Sequence, residues 1–369
     1  MKTLLRLLTL AAIATFFALP AFAQDAAAAA AADPCTTAGE DELYKKYYDE
    51  KNVKKDQAAA YETAKQYLSK YPACTDRYSS NVKKFHDAYA AALGEANEEK
   101  DFLIALYGSD ANKTGRNVAK AFEIGKRMLA KDANNLPVLI QLGHTGYTEW
   151  ANKNPAFVAD STANLRKSLQ LIEAGKTIDK WTPFASRDEA VSYLNFYLGE
   201  LTITNKPAGA AQTAALKEAL PIYLKAATME GPAKKLPDTY ARLAVGYQVT
   251  QYAPMLAEYT KMYPTESEES KAALEQLNQV MDRIIDAYAR AINLAGSEPR
   301  YAKDKAAWTQ ELTSLYKFRH ADKPDGLAAY IAGITATPLP EPFTAKPFVA
   351  TPVSGTGGTP PAATAEKKP

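Results

Sequence analysis

Residues 216–247 read LKEALPIYLKAATMEGPAKKLPDTYARLAVGY. Two amphipathic patterns lie in this stretch, separated by Gly231, Pro232 and Pro237. In the first, Ala219, Tyr223 and Ala226 fall at i, i+4 and i+7, on one face of a helix. In the second, Tyr240, Leu243, Ala244 and Tyr247 share a face in the same way. Small residues on one helix opposite aromatic residues on the next allow close antiparallel packing. One such hairpin cannot bury both of its apolar faces and needs neighbours on either side. The expectation is an all-α chain built from antiparallel helix hairpins in series.

The same periodicity extends outward in both directions. Residues 39–51 carry Leu43, Tyr44, Tyr47 and Tyr48 on one stripe, and residues 54–71 carry Ala60, Ala64, Tyr67, Leu68 and Tyr71, with Pro72 as the stop. Two helices joined by so short a turn must run antiparallel, which places the start of the first beside the end of the second. Cys35 and Cys74 lie just outside those two ends, so a disulfide between them is expected. Further helices are predicted over 76–106 (with Gly94 a point of bending), 117–131, 136–151, 157–176, 187–204, 210–229 (with Pro221 a point of kinking), 236–252, 254–263, 267–294, 301–320 and 325–334. No stretch alternates long enough to predict a strand.

The chain ends have a different character. Residues 1–23 combine Lys2 and Arg6, a short apolar run and Ala21-Phe22-Ala23, the pattern of a secretion signal cleaved after Ala23. Residues 24–38 form an alanine-rich leader, residues 39–336 the helical-repeat domain, and residues 337–369 a tail rich in Pro, Thr and Ala that is expected not to order itself. Without Lys2 and Arg6 the 44 basic residues fall to 42, equal to the 42 acidic ones, so charge gives no reason to expect a nucleic acid or an anionic membrane surface as partner. No transmembrane segment is expected in the mature chain, and the implied address is the periplasm. Tyrosine, at 22 residues against 12 phenylalanines, suits narrow helical layers with wet edges.

Several of these fragments resemble tetratricopeptide repeats (TPR). Ala219-x3-Tyr223-x2-Ala226 and Tyr288-x2-Ala291-Ile292-x-Leu294 look like second helices of that repeat, and Tyr240-x2-Leu243-Ala244-x2-Tyr247 looks like a first helix. Leu142-Gly143, following Asp132-Ala133-Asn134-Asn135, is similar to a repeat junction. The spacing departs from a regular repeat at 152–157 and 231–237. The resemblance implies a TPR-like superhelical solenoid whose first helices line a concave groove. It places His144, Tyr147 and Thr148 on one groove-facing helix and Val245, Gln248 and Val249 on another. The function it implies is a non-catalytic scaffold that holds a peptide or protein, without a cofactor.

Residues capable of chemistry are sparse. The three histidines, His86, His144 and His320, fall on separate predicted helices with no i, i+4 partner, so no metal site is expected. Gly108-Ser-Asp-Ala-Asn112-Lys113-Thr114 echoes a phosphate-binding loop but lacks its second glycine and a preceding strand. Asp41-Glu42, Glu98-Glu99 and Glu268-Glu269 are adjacent acids, which do not point at one site on a helix. Two alternatives stay open. A helical cell-wall-acting enzyme requires two acids at glycosidase separation in one cleft. A carbohydrate-binding envelope protein requires aromatic rings presented in the groove.

Overall fold

A computed structural model describes residues 35, 37–204 and 206–349 of the 369. The expected signal segment, almost all of the expected leader and the last twenty residues (350–369) lie outside the described part. The described residues are helical, with turns and irregular connections and no strand. No helix among them is long and apolar enough to cross a membrane. They form two compact units that divide between Glu99 and Lys100.

The first unit holds α1 (Ala38–Tyr48), α2 (Gln57–Lys70) and the first part of α3 (Arg77–Tyr107). Each start is fixed by a side chain that accepts from a free backbone N–H: Thr37 from Glu40, Asp56 from Ala59, and Asp76 from Tyr78 and Ser79. Tyr47, Ala60, Ala64, Tyr67, Tyr71 and Val82 form the core. Because that core is rich in tyrosine, its hydroxyls need buried partners: Tyr67 donates to Glu40 Oε1. Cys35 and Cys74 are joined, with Cα atoms 5.5 Å apart, at the shared end of α1 and α2 as the hairpin geometry requires. Helix α3 runs through Gly94 without a break, and a Cβ there would meet nothing within 4 Å.

The second unit holds α4 (Val118–Lys131), α5 (Leu136–Ala151), α6 (Val158–Glu173), α7 (Arg187–Ile203), α8 (Ala210–Thr228), α9 (Pro237–Tyr247), α10 (Ala253–Met262), α11 (Glu268–Ala295), α12 (Ala302–Arg319) and α13 (Leu327–Gly333). Helices adjacent in sequence pack on each other from α4 to α9, after which α11 packs on α9, α12 and α13. Starts are again locally encoded: Asn117, Asn135 and Ser186 cap α4, α5 and α7, and Ser267 forms a capping box with Ser270 at α11. Glycine permits the closest approach. A Cβ on Gly146 of α5 would lie 1.6 Å from Ser161 Oγ of α6, and one on Gly199 of α7 would lie 2.7 Å from the Tyr223 ring of α8.

Two expectations change here. Residues 236–252 and 254–263 were expected as two helices, but α9 passes into α10 through a wide π turn at Gln248–Tyr252, in which Ala253 N–H bonds Gln248 O. The wide turn absorbs Pro254, which has no N–H to donate. Residues 337–349 were expected not to order themselves. They lie extended along α11, because arginines on that helix satisfy their carbonyls.

Candidate binding site

A cavity of the second unit, about 610 Å³, is lined by residues from four places in the chain. Helix α5 and its end contribute Tyr147, Trp150 and Lys153; α7 contributes Tyr193, Phe196, Tyr197 and Glu200; Leu236 and Asp238 stand at the start of α9; Arg300 and Tyr301 precede α12. Tyr193, Tyr197 and Glu200 fall at i, i+4 and i+7, so one stripe of α7 faces the cavity, and Tyr147 and Trp150 fall at i and i+3 on α5.

The wall is a run of rings in contact. Tyr147 and Tyr197 stack with centroids 3.9 Å apart and planes 17° from parallel, and Tyr193 stacks on Tyr197 at 5.5 Å. Trp150 tilts against Tyr147 at 5.6 Å. Burial raises the pKa of the Tyr147 hydroxyl, with the nearby Glu200 and Asp238 carboxylates adding to it, so this phenol is a neutral hydrogen-bonding group.

The floor holds a charge network. Glu200 is 4% exposed. Arg242 of α9 grips it with both arms, Nε donating to Oε1 at 2.7 Å and a terminal nitrogen to Oε2 at 3.0 Å. Tyr223 of α8 donates its hydroxyl to Oε1 at 2.6 Å. Such a bidentate pair with a third donor meets the condition under which a buried carboxylate is tolerated. Tyr301 donates to Asp238 Oδ2 at 2.7 Å, and the Arg300 guanidinium lies 4.6 Å from the Tyr301 ring centre.

Of the six residues predicted to face a groove, Tyr147 lines the cavity. His144, one turn earlier, meets the Phe184 and Tyr197 rings at 5.6 and 5.7 Å, behind the wall. Its Nδ1 is buried without a hydrogen-bond partner, and burial lowers its pKa. Thr148 donates its hydroxyl to the His144 carbonyl at 3.0 Å. Val245, Gln248 and Val249 are half-buried on α9 and the wide turn and do not line the cavity. Sequence reasoning passed over Tyr193, Tyr197, Glu200, Asp238 and Tyr301. The spacing Tyr193-x3-Tyr197-x2-Glu200, an acid closing an aromatic stripe, was the available signal.

The other candidates resolve locally. In the Gly108 loop, Asp110 Oδ1 accepts from Asn112 N–H and Thr114 N–H, so the loop's own acid takes the donors a phosphate would need. His86 stacks on Tyr61 and His320 on Tyr316. Glu40, Cys74 and Asp76 hold possible ligand atoms within 4.8 Å of one another, but Cys74 is in the disulfide, Asp76 caps α3 and Glu40 accepts from Tyr67. Comparison with protein-family models, with curated proteins and with solved structures gives no match.

Proposed function

We propose that the protein is a non-catalytic recognition scaffold of TPR-like helix hairpins, secreted to the periplasm after cleavage at Ala23, that takes an apolar or aromatic portion of a peptide or protein partner into the cavity between α5, α7, the start of α9 and the start of α12. The supporting observation is the state of its polar groups. Glu200 is committed to Arg242 and Tyr223, and Asp238 accepts from Tyr301. What remains to meet a ligand is ring surface with phenol edges, beside the Lys153 and Arg300 side chains, a lining typical of capture sites. The disulfide is compatible with an oxidising compartment.

A second reading, carbohydrate capture, draws on the same rings, since a pyranose also lies against aromatic surface. The two separate in one experiment. Trp150 lines the cavity and reports on it by fluorescence. The mature chain is titrated with a peptide library and with an oligosaccharide panel, alongside Tyr147→Ala. Saturable quenching by peptides bearing an aromatic or branched apolar residue, weakened at least tenfold in Tyr147→Ala, is the expected result. Quenching by oligosaccharides alone moves the assignment to the second reading. Hydrolysis of cell-wall fragments that is lost in Glu200→Gln or Asp238→Asn overturns both.

A further inference from the structure

A second interaction surface lies on α11, away from the cavity residues. Arg290, Arg283 and Gln276 follow one another at seven-residue intervals, so they share a face two turns apart. All three contact the main chain of residues 337–349. A terminal nitrogen of Arg290 donates to the carbonyls of Thr337 and Pro338 at 3.0 and 2.9 Å. Arg283 Nε donates to the carbonyl of Glu341 at 2.7 Å, and Gln276 Oε1 accepts from Lys346 N–H at 2.9 Å. The Tyr263 hydroxyl donates to the carbonyl of Val349 at 2.5 Å.

The lengths match. Fourteen residues of α11, from 276 to 290, rise about 21 Å. Eight residues of extended chain, from 338 to 346, span about 25 Å at the rise of a polyproline helix. Four of the residues in 337–349 are prolines, at 338, 340, 342 and 347. Proline holds the chain extended before it binds and leaves no N–H unsatisfied, so the ordering cost is low. Only Leu339, Pro340, Phe343 and Phe348 are half-buried; the rest are exposed. Arg283 also covers the Phe343 ring at 5.4 Å, and Phe348 lies 6.1 Å from the Tyr263 ring.

The seat is held by backbone contacts plus three apolar anchors, and beside Phe348 it leaves a cavity of about 290 Å³ bounded by Tyr263, Glu269 and Gln276. No side chain of residues 337–349 is fully buried and most are exposed, so few apolar contacts hold the segment in its seat. We propose that this face of α11 is a recognition site for proline-punctuated extended peptides with apolar anchors in the spacing Leu-x3-Phe-x4-Phe, and that residues 337–349 are its resident occupant, displaced by a partner segment of that chemistry. This site is independent of the cavity between α5 and α7.

The test uses the full mature chain and a fluorescein-labelled peptide, TPLPEPFTAKPFV, followed by anisotropy. Phe343→Ala with Phe348→Ala in the protein loosens the resident segment and is expected to tighten peptide binding at least tenfold over the parent. Adding Arg283→Ala is expected to weaken it at least fivefold, and a peptide with all three anchors changed to Ala should not bind. Absence of binding to the loosened chain, or binding indifferent to Arg283→Ala, overturns the proposal. A concentration-dependent dimer of the parent that the loosened chain loses, with no binding of free peptide, assigns the face to a second copy and overturns it as well. If the loosened chain does not fold, hydrogen exchange on the parent decides. Excess unlabelled peptide should accelerate exchange at Lys346 and its neighbours while α11 keeps its protection, and unchanged exchange counts against the proposal.

Discussion

Tyr223→Phe tests whether the Glu200 network is a hydrogen-bonded structure or a chance of packing. The substitution removes one oxygen from a side chain that is 1% exposed and keeps the ring. What is lost is the 2.6 Å bond to Glu200 Oε1. That oxygen still accepts from Arg242 Nε at 2.7 Å, so no buried acceptor is orphaned. The cost is therefore the net worth of one hydrogen bond to a charged acceptor, at the lower end of its range, about 1.5–2 kcal/mol. For a unit of this size that is about 3–8 °C in melting temperature. The informative measurement is the same substitution made in a Glu200→Leu background. There the Tyr223 hydroxyl is buried with no acceptor, a state that itself costs about 1–3 kcal/mol. Removing the hydroxyl then relieves a penalty, and Tyr223→Phe should become neutral or stabilising. Urea unfolding followed by circular dichroism, with equal m-values across the four proteins, gives the double-mutant cycle. Equal cost of Tyr223→Phe in both backgrounds would refute the reasoning, because only the bond to Glu200 links the two sites.

Three further outcomes are expected. Gly146→Ala should lower stability by about 1–3 kcal/mol through overpacking, against at most about 1 kcal/mol gained in helix propensity, and Ser161→Gly should restore much of it because both nearest clashing atoms belong to Ser161; urea midpoints of the two variants check this. Replacing both Cys35 and Cys74 by Ser opens a loop with a sequence separation of 39, and the chain-entropy account gives a loss of about 4 kcal/mol in the first unit, measured by hydrogen exchange at Ala60, Ala64 and Tyr67. Burial holds the His144 imidazole below the ordinary value of 6.5, so the unfolded chain binds the proton first. The stability its neutral form contributes is complete above 6.5 and declines as pH falls through 6.5 toward the lower folded value. His144→Phe should flatten the fall in urea midpoint between about pH 7.5 and 5.5, and a variant as steep as the parent would assign that fall to other groups.

What the sequence made legible and what it hid follow from how local each cause is. The caps at Asn117, Asn135, Ser186 and Ser267 act within three residues, and the stripe of each helix is written in its own periodicity, so an all-α chain could be read directly. The disulfide was legible because one short turn fixes how two helices run. Glu200 was not, because its two partners come from helices 23 and 42 residues onward, and only packing of α7 against α8 and α8 against α9 makes them neighbours. Tyr223 and Arg242 stood in the stretch that decided the fold, but periodicity ranks them as core and surface and says nothing of a shared carboxylate. The segment after Thr337 shows the opposite error. Its prolines argue correctly against helix or strand, but a chain without internal hydrogen bonds is still ordered if another element supplies them. Arg290 and Arg283, which helical periodicity alone does not single out, are what supply them here. Composition alone therefore identifies a segment that cannot hold itself, and the arginine spacing on a neighbouring helix decides whether something else holds it.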